Sequence, residues 1–207
     1  IYGDMDVNER LEYLDREYLS DFDVSDVDIH ANIERQAAFD KPVYETKPYA
    51  ITEDESLEDN TYLSYNAVIG TSVDAKLYLA FQILDYALVM TPGAPVKQAL
   101  LDAGISTDVY SSYETSLYQP VYSIVAKNSN SKEQDRFVSV INDTLEKLVK
   151  DGINERTIEA GINYYEFKYR EADYGPYPKG LMYYLTMMDS WLYDETKPFI
   201  HIEAVSY

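Results

Sequence analysis

The stretch DAKLYLAFQILDYALVMTPGAPVKQALLDAGI, residues 74–105, decides the fold of this chain. Asp74 is placed to cap a helix, and apolar side chains then recur at the spacing of one buried helix face, at Leu77, Phe81, Leu84 and Leu88. Thr91-Pro92-Gly93 ends this helix, because proline disfavours helical geometry in the residue before it and glycine tolerates conformations that other residues avoid. The stretch therefore predicts a helix, a turn and a second helix.

The second helix and the strands around it follow from the same local rules. Pro95 fits the first turn of a helix, where its missing N–H costs nothing, and Gly104 is the usual left-handed residue after a helix end. The chain continues as STDVYSSYETSLYQPVYSIVAK, in which the hydrophobic period changes to two. We predict strands at about 107–115 and 119–127, and TYLSYNAVI predicts an earlier strand at 61–69.

Three further helices complete the pattern. Ser131 and Gln134 form a capping-box pattern before a helix that ends at Gly152, and Asn154 is placed to cap the next helix. The apolar positions of the last two helices are Ile158, Ile162, Tyr165 and Tyr169, then Leu181, Leu185, Met188 and Leu192. Long helices beside a small, largely antiparallel sheet predict a two-layer α+β domain in which the helices cover the sheet.

The two ends of the chain suggest a piece of a longer protein. Residues 1–4 have the pattern of a strand tail, and Asp6 with Glu9 predicts the capped start of a helix. Periodicity is then lost and acidic residues accumulate, which is typical of an extended linker. We interpret residues 1–19 as the end of a preceding domain, 20–60 as an acidic linker and 61–207 as a second domain truncated at its C-terminus.

Composition excludes several classes of partner. The chain of 207 residues has a formal net charge of −20, which argues against binding to nucleic acid or to an anionic membrane surface, since both need clustered Lys and Arg. Such a field would attract a cationic peptide, although solubility is the better explanation of the charge. The absence of cysteine excludes disulfides and thiolate zinc sites. We expect a bacterial cytoplasmic location.

Residues for catalysis or metal binding are not found in a usable pattern. The two histidines, His30 and His201, are far apart in sequence and neither lies in a His-x-x-Glu-His motif, so we expect no zinc site and no catalytic residue. Runs such as Glu53-Asp54-Glu55 are typical of solvated surface, and Glu166 has basic neighbours with which to pair. We find no isolated carboxylate on an apolar helix face that would indicate a raised pKa.

Four segments together resemble a known family. VMTPGAPVKQALLDAGI, QPVYSIVAKN, DGINERTIEAGINYYEFKYREADYG and YPKGLMYYLTMMDSWLYD resemble the insulinase-like zinc metallopeptidases, in the presequence-protease subfamily. The resemblance covers about residues 60–195, and IYGDMDVNERLEYLDREYL resembles the end of the first, catalytic domain of that family. The combination of these segments at their spacing is specific, whereas any one alone is weak.

The resemblance implies a fold and a role. The fold is that of the mitochondrial-processing-peptidase-like metallohydrolases, whose four related two-layer domains close on a peptide inside a chamber. Only the first domain carries zinc, through a His-x-x-Glu-His helix. This chain then corresponds to the linker and the non-catalytic second domain, with the zinc in the missing catalytic domain. Its partners would be the other domains of the same parent chain and unfolded peptide substrates.

The resemblance also points to candidate substrate-binding residues. The turn at Thr91, Pro92 and Gly93 and the strand around Tyr110, Ser111 and Ser112 align with the region that holds a substrate's N-terminal end. An unpaired strand edge supplies main-chain donors and acceptors for such binding. The alternative is that Pro92-Gly93 only breaks a helix and that the strand is ordinary sheet.

Two alternatives stay open at this point. The chain could be a structural or assembly module that makes no direct contact with substrate. The aromatic and methionine side chains of the last helix could line an apolar substrate pocket, although helical spacing favours a core position for Met182, Tyr183, Met187, Met188 and Trp191.

Overall fold

The computed structural model of the chain describes residues 4–23 and 33–203. Seven helices and three strands lie in these residues: α1 (Val7–Leu14), β1 (Thr61–Val68), α2 (Ala75–Asp85), α3 (Pro95–Asp102), β2 (Asp108–Glu114), β3 (Val121–Ser129), α4 (Gln134–Asp151), α5 (Glu155–Glu171), α6 (Lys179–Trp191) and α7 (Ile200–Glu203). Wider π-helical turns extend α1 to Leu19 and α2 to Met90, and a 3₁₀ turn over Ser131–Glu133 precedes α4. The predicted order of strand, helix pair, two strands and three helices is confirmed.

The three strands form one antiparallel sheet in the order β1-β3-β2. β3 is central: Asn66 of β1 and Ser112 of β2 both lie opposite Ser123, and Ser64 and Tyr110 both lie opposite Val125. Alternate residues face opposite sides of a sheet, and one side here is buried beneath the helices. The other side is open, so the predicted two-layer α+β architecture is confirmed.

The core lies between the helices and the inner side of the sheet. Its buried members come from all three strands, from helices α3 and α4, from the π-helical end of α2 and from the connection between α3 and β2: Leu63, Leu88, Val89, Val96, Leu100, Ile105, Val109, Tyr122, Ile124, Ala126, Phe137 and Ile141. By length and composition alone, the stretch Ala75–Asp102 could cross a membrane. In this fold the stretch is two helices separated by a turn, and they contribute core side chains.

Most of the predicted helix ends are confirmed by geometry. The Asp74 carboxylate accepts a hydrogen bond from the Leu77 N–H at 3.0 Å, and the Asn154 side chain accepts one from the Arg156 N–H at 3.0 Å. Gly104 and Gly152 both have positive φ, at 65° and 85°, which glycine adopts readily at a helix end. Asp6 also caps α1, accepting from the Glu9 N–H at 3.0 Å.

Three local predictions differ from the structure. Ser131 lies inside the 3₁₀ turn, and neither that turn nor α4 has a side-chain cap at its start, so the capping box is absent. In α2 the buried positions are Tyr78 and Asp85 rather than Leu77. In α6 the predicted buried face is the exposed one, since Leu181, Leu185 and Leu192 are open to solvent.

The segment between α1 and β1 has no helix or strand where the structure describes it, at residues 33–60, and it forms turns over residues 53–59. The Gln119 side chain holds it near one end, accepting from the Gln36 N–H at 2.7 Å and donating to the Gln36 carbonyl at 3.2 Å. At the other end the Asn130 amide donates to the Asp59 carboxylate at 2.6 Å. The interpretation of residues 1–19, 20–60 and 61–207 as three units stays a prediction, and residues 1–3 and 204–207 lie outside the described ranges.

Candidate peptide-binding surface

The turn after α2 is built by Thr91, Pro92 and Gly93. The last turn of α2 is π-helical, and the Thr91 N–H donates to the Tyr86 carbonyl at 3.0 Å. Gly93 takes φ 74°, and a side chain added there would meet nothing within 4 Å. Pro92 and Gly93 are exposed, whereas Ala94 behind them is buried. The turn therefore presents an open main chain on a rigid support.

Gly93 faces a shallow groove between α3 and α4. The groove has a volume of about 480 Å³, and Gln98, Asp102 and Lys147 lie along it. Within the described residues, no hydrogen bond joins the turn to Tyr110, Ser111 or Ser112. The structure thus places the two halves of the predicted site in one domain with no hydrogen bond between them among the described residues.

The three predicted strand residues face both sides of the sheet. Tyr110 and Ser112 are exposed on the open side, with Tyr110 44% exposed. Ser111 faces the helices, where its hydroxyl is buried and has no hydrogen-bond partner among the described residues. The Ser111 side chain points away from the open side of the sheet. Only the main-chain N–H and C=O groups of Ser111 are therefore available to a peptide.

The open side of the sheet is polar and aromatic. Ser64 and Ser123 both donate to the Asn66 side-chain oxygen, at 2.9 and 2.7 Å. Lys127 lies 5.9 Å from the ring centre of Tyr62, which also packs edge-on against Tyr49. In the described part of the chain β2 pairs only with β3, so its second edge keeps its main-chain groups free.

A buried carboxylate under β2 was missed by sequence reasoning. Asp85 is 7% exposed and accepts a hydrogen bond from the Tyr122 hydroxyl at 2.8 Å. Burial raises the pKa of the Asp85 carboxyl, and the hydrogen bond from the Tyr122 hydroxyl acts in the opposite direction. The expectation that no isolated carboxylate lies on an apolar helix face is therefore wrong. The available signal was an acidic residue surrounded by the apolar run of residues 77–90.

The residues present do not fit a zinc ion. Within residues 4–23 and 33–203, no three His, Asp or Glu side chains are close enough to share one. His201 is 1% exposed and packs on Tyr78 with 3.8 Å between ring centres, so it is a buried histidine. Burial lowers the pKa of His201 to about 4. His30 lies outside the described residues, and Arg170 pairs with Glu166 at 2.6 Å as predicted.

Comparison with known proteins decides the family. The family model described as the peptidase M16 inactive domain matches residues 1–165. This chain belongs to that family. This assignment confirms the resemblance to the insulinase-like peptidases. The chain is 41% identical over 203 residues to Protein HypA of Clostridium perfringens (strain 13 / Type A). The match covers 98% of this chain and 21% of that protein.

Other relatives extend the comparison of this M16 inactive domain. It is 32% identical over 195 residues to presequence protease 1, chloroplastic/mitochondrial, of Arabidopsis thaliana, covering 93% of this chain and 18% of that protein. A solved structure of a proposed zinc protease from Bordetella pertussis Tohama I shares the fold, with a TM-score of 0.56, 14% identity, and coverage of 70% and 78% of the two chains. The chain spans about a fifth of the length of these curated relatives.

Proposed function

We propose that this inactive domain forms part of the closed chamber of a zinc-dependent peptidase that degrades unfolded peptides, and that it binds substrate by strand addition at β2. The zinc would be held by another domain of the longer polypeptide, which together with the substrate would be the partner of this chain. The observation that carries the proposal is the free edge of β2 beside the exposed Tyr110 and Ser112.

The chemistry of a free strand edge supports this role. Its unpaired N–H and C=O groups bind an extended peptide through the peptide's main chain, so affinity depends little on peptide sequence. Each outer strand, β1 and β2, pairs only with β3 in the described chain. On β1 the ring of Tyr62 is already packed against Tyr49, whereas β2 offers the exposed Tyr110 beside its free edge. The exposed turn at Thr91–Gly93 would then hold the N-terminal end of the bound peptide.

The test uses fluorescence anisotropy of a labelled, unstructured octapeptide with the purified chain. Tyr110→Ala is expected to weaken binding about tenfold, because an aromatic contact contributes about 1 kcal/mol or slightly more. Tyr62→Ala is the matched control: Tyr62 is 45% exposed on the same side of the sheet but lies on β1. A peptide methylated at alternate main-chain nitrogens is expected to lose binding, since it cannot pair with a strand.

Two results would contradict strand addition. Equal affinity of the methylated and unmethylated peptides would show that main-chain pairing is not used. Equal binding by the native chain and by Tyr110→Ala would remove β2 from the site and favour the structural or assembly module. Metal analysis of the purified chain tests the companion proposal, with less than one tenth equivalent of zinc expected after dialysis.

A further inference from the structure

Helix α6 carries a row of apolar and aromatic side chains that faces solvent. Five of them are 42–62% exposed, and they recur from the first turn of the helix to its C-cap: Leu181, Tyr184, Leu185, Trp191 and Leu192. Met188 fills the remaining position of the row and is partly buried. Because residues three and four apart lie on one side of a helix, these six side chains form one surface, the α6 stripe.

The opposite side of α6 attaches the helix to the rest of the domain. The Ser190 hydroxyl is buried and donates to the Lys197 carbonyl at 2.8 Å. Tyr183 packs edge to face on Tyr174 with 5.9 Å between ring centres. Tyr183 and Ser190 lie about 140–160° around the helix from the middle of the α6 stripe. The contacts that hold α6 in place therefore turn the stripe outward.

The α6 stripe has the character of a buried surface. The sequence GLMYYLTMM, residues 180–188, contains no charged residue, although charged residues make up 26% of the chain. By contrast, the exposed Val149 of α4 lies between Lys147 and Lys150. Single apolar residues are ordinary on a protein surface, whereas a contiguous apolar patch marks an interface. The spacing of the stripe is also typical of a helix face that is covered in the native protein.

A second helix with an apolar face fits this surface. Side-chain rows at spacings of three and four pack into the grooves of another helix. The side of a helix offers no free main-chain N–H or C=O groups, so the stripe is unsuited to a peptide that binds through its main chain. Longer relatives contain ample chain to supply the second helix, since the match covers only 21% and 18% of two of them.

We propose that the α6 stripe packs against an apolar helix face of the same, longer polypeptide, and that it thereby joins this inactive domain to its neighbour. The inference rests on the proposed function in taking the domain as part of a longer peptidase. It uses α6, whereas strand addition uses the edge of β2. Leu185→Cys is therefore expected to leave octapeptide binding unchanged, so failure of one proposal is distinguishable from failure of the other.

Maleimide labelling of Leu185→Cys tests the proposal, with the purified chain and the full-length polypeptide compared by mass spectrometry of the labelled segment. The chain has no cysteine of its own. A thiol reacts only where solvent reaches it, so we expect labelling about tenfold slower in the full-length polypeptide than in the chain. Equal labelling rates of Leu185→Cys in the two proteins would overturn the proposal.

Two control variants calibrate these rates. Val149→Cys replaces a side chain that is 88% exposed on α4, and it is expected to react equally fast in both proteins. Ala126→Cys lies in the central strand at a position that is 0% exposed, and it is expected to stay unreactive in both. The second control shows that the chain is folded when Leu185→Cys reacts.

Photocrosslinking identifies what covers the stripe and also tests the proposal if Leu185→Cys fails to fold. Benzoylphenylalanine replaces Tyr184, which is 48% exposed and already aromatic. In the full-length polypeptide we expect a cross-link within one molecule, to a helix outside the 207 residues of this chain. A cross-link to a second copy or to the octapeptide, or no cross-link at all, would overturn the proposal.

Discussion

At the scale of single residues, two buried polar side chains, Asp85 and His201, are the main features of this domain. Asp85 is enclosed with the Tyr122 hydroxyl as its hydrogen-bond partner, whereas both ring nitrogens of His201 lack a partner among the described residues. Burial disfavours the charged form of each group, so the pKa of the carboxyl rises and the pKa of the imidazole falls. Their contributions to stability therefore change with pH in opposite directions.

His201→Phe isolates the contribution of the histidine. In the unfolded chain this side chain takes up a proton near its ordinary pKa of 6.5, but in the folded chain only near 4. Stability is therefore complete above pH 6.5 and falls by up to about 3 kcal/mol as the pH is lowered towards 4. Phenylalanine can still pack on Tyr78 and cannot be protonated, so we expect the variant to lose less stability over this range.

Urea unfolding at several pH values between 4 and 7 measures this difference. Asp85 and Asp189 have raised pKa values and act with the opposite sign, but they are present in both proteins and cancel on subtraction. At pH 7 the variant is expected to match the native chain or exceed it, because no hydrogen bond is lost. If the free energies of unfolding of the two proteins change with pH in parallel, burial of His201 does not lower its pKa.

At the scale of secondary-structure elements, α5 crosses α2 at a glycine. Gly161 is buried, and a Cβ atom there would lie 3.2 Å from the Tyr86 ring and 3.3 Å from an Ile83 methyl group. The Ile83 carbonyl oxygen, which cannot move without disturbing α2, would be 3.4 Å away. The helices therefore approach so closely that even a Cβ atom at residue 161 would be tightly packed, and a larger side chain would not fit without movement of its neighbours.

Gly161→Val is expected to lower the free energy of unfolding by about 1–3 kcal/mol, as overpacking of a tight interior does. Ala160→Val places the same side chain on the neighbouring exposed position and is the control. Helix propensity alone predicts the reverse order, since valine is better than glycine and worse than alanine in a helix. If urea unfolding shows Ala160→Val to be the less stable protein, the packing argument is wrong.

Local sequence signals predicted where helices and turns begin and end better than they predicted which helix or strand faces are buried. The cap at Asp74, the turn at Thr91–Gly93 and the end at Gly152 depend on backbone rules that act over a few residues. The exposed face of α6 and the inward direction of Ser111 depend on which elements pack against them, and periodicity carries no such information. The peptide-binding residues came from resemblance and stay a prediction.

At the scale of the whole molecule, an extended segment is tied to the domain at a few points. Between Gln36, held by Gln119, and Tyr49, which hydrogen-bonds Asn60, residues 37–48 are exposed. The Gln119 side chain makes both of its contacts to the main chain of Gln36. At this point the segment is held through its main chain by one side chain, Gln119, and the side chains of the segment itself take no part in these two hydrogen bonds.

Gln119→Ala is expected to free this segment without weakening the domain. Chymotrypsin should cleave after Phe39 or Tyr44, which are 66% and 61% exposed, several-fold faster than in the native chain. The reason is that two hydrogen bonds of about 1 kcal/mol each are lost. Gln98→Ala is the control, since it removes only a contact to Asp102 on the same exposed helix surface. The midpoint of urea unfolding should be unchanged in both variants. Equal cleavage rates for Gln119→Ala and the native chain would show that Gln119 does not hold the segment.

The strand order β1-β3-β2 has a consequence during synthesis on the ribosome. β2 and β3 are neighbours in the chain and can pair as soon as both emerge, but β1 leaves the exit tunnel first and has no partner until β3 appears. Throughout that delay the apolar stretch of α2 and α3 has no sheet to pack against. Nascent chains arrested before residue 121 emerges should be cleaved within residues 61–68 and recruit chaperones, and chains arrested after residue 129 emerges should not.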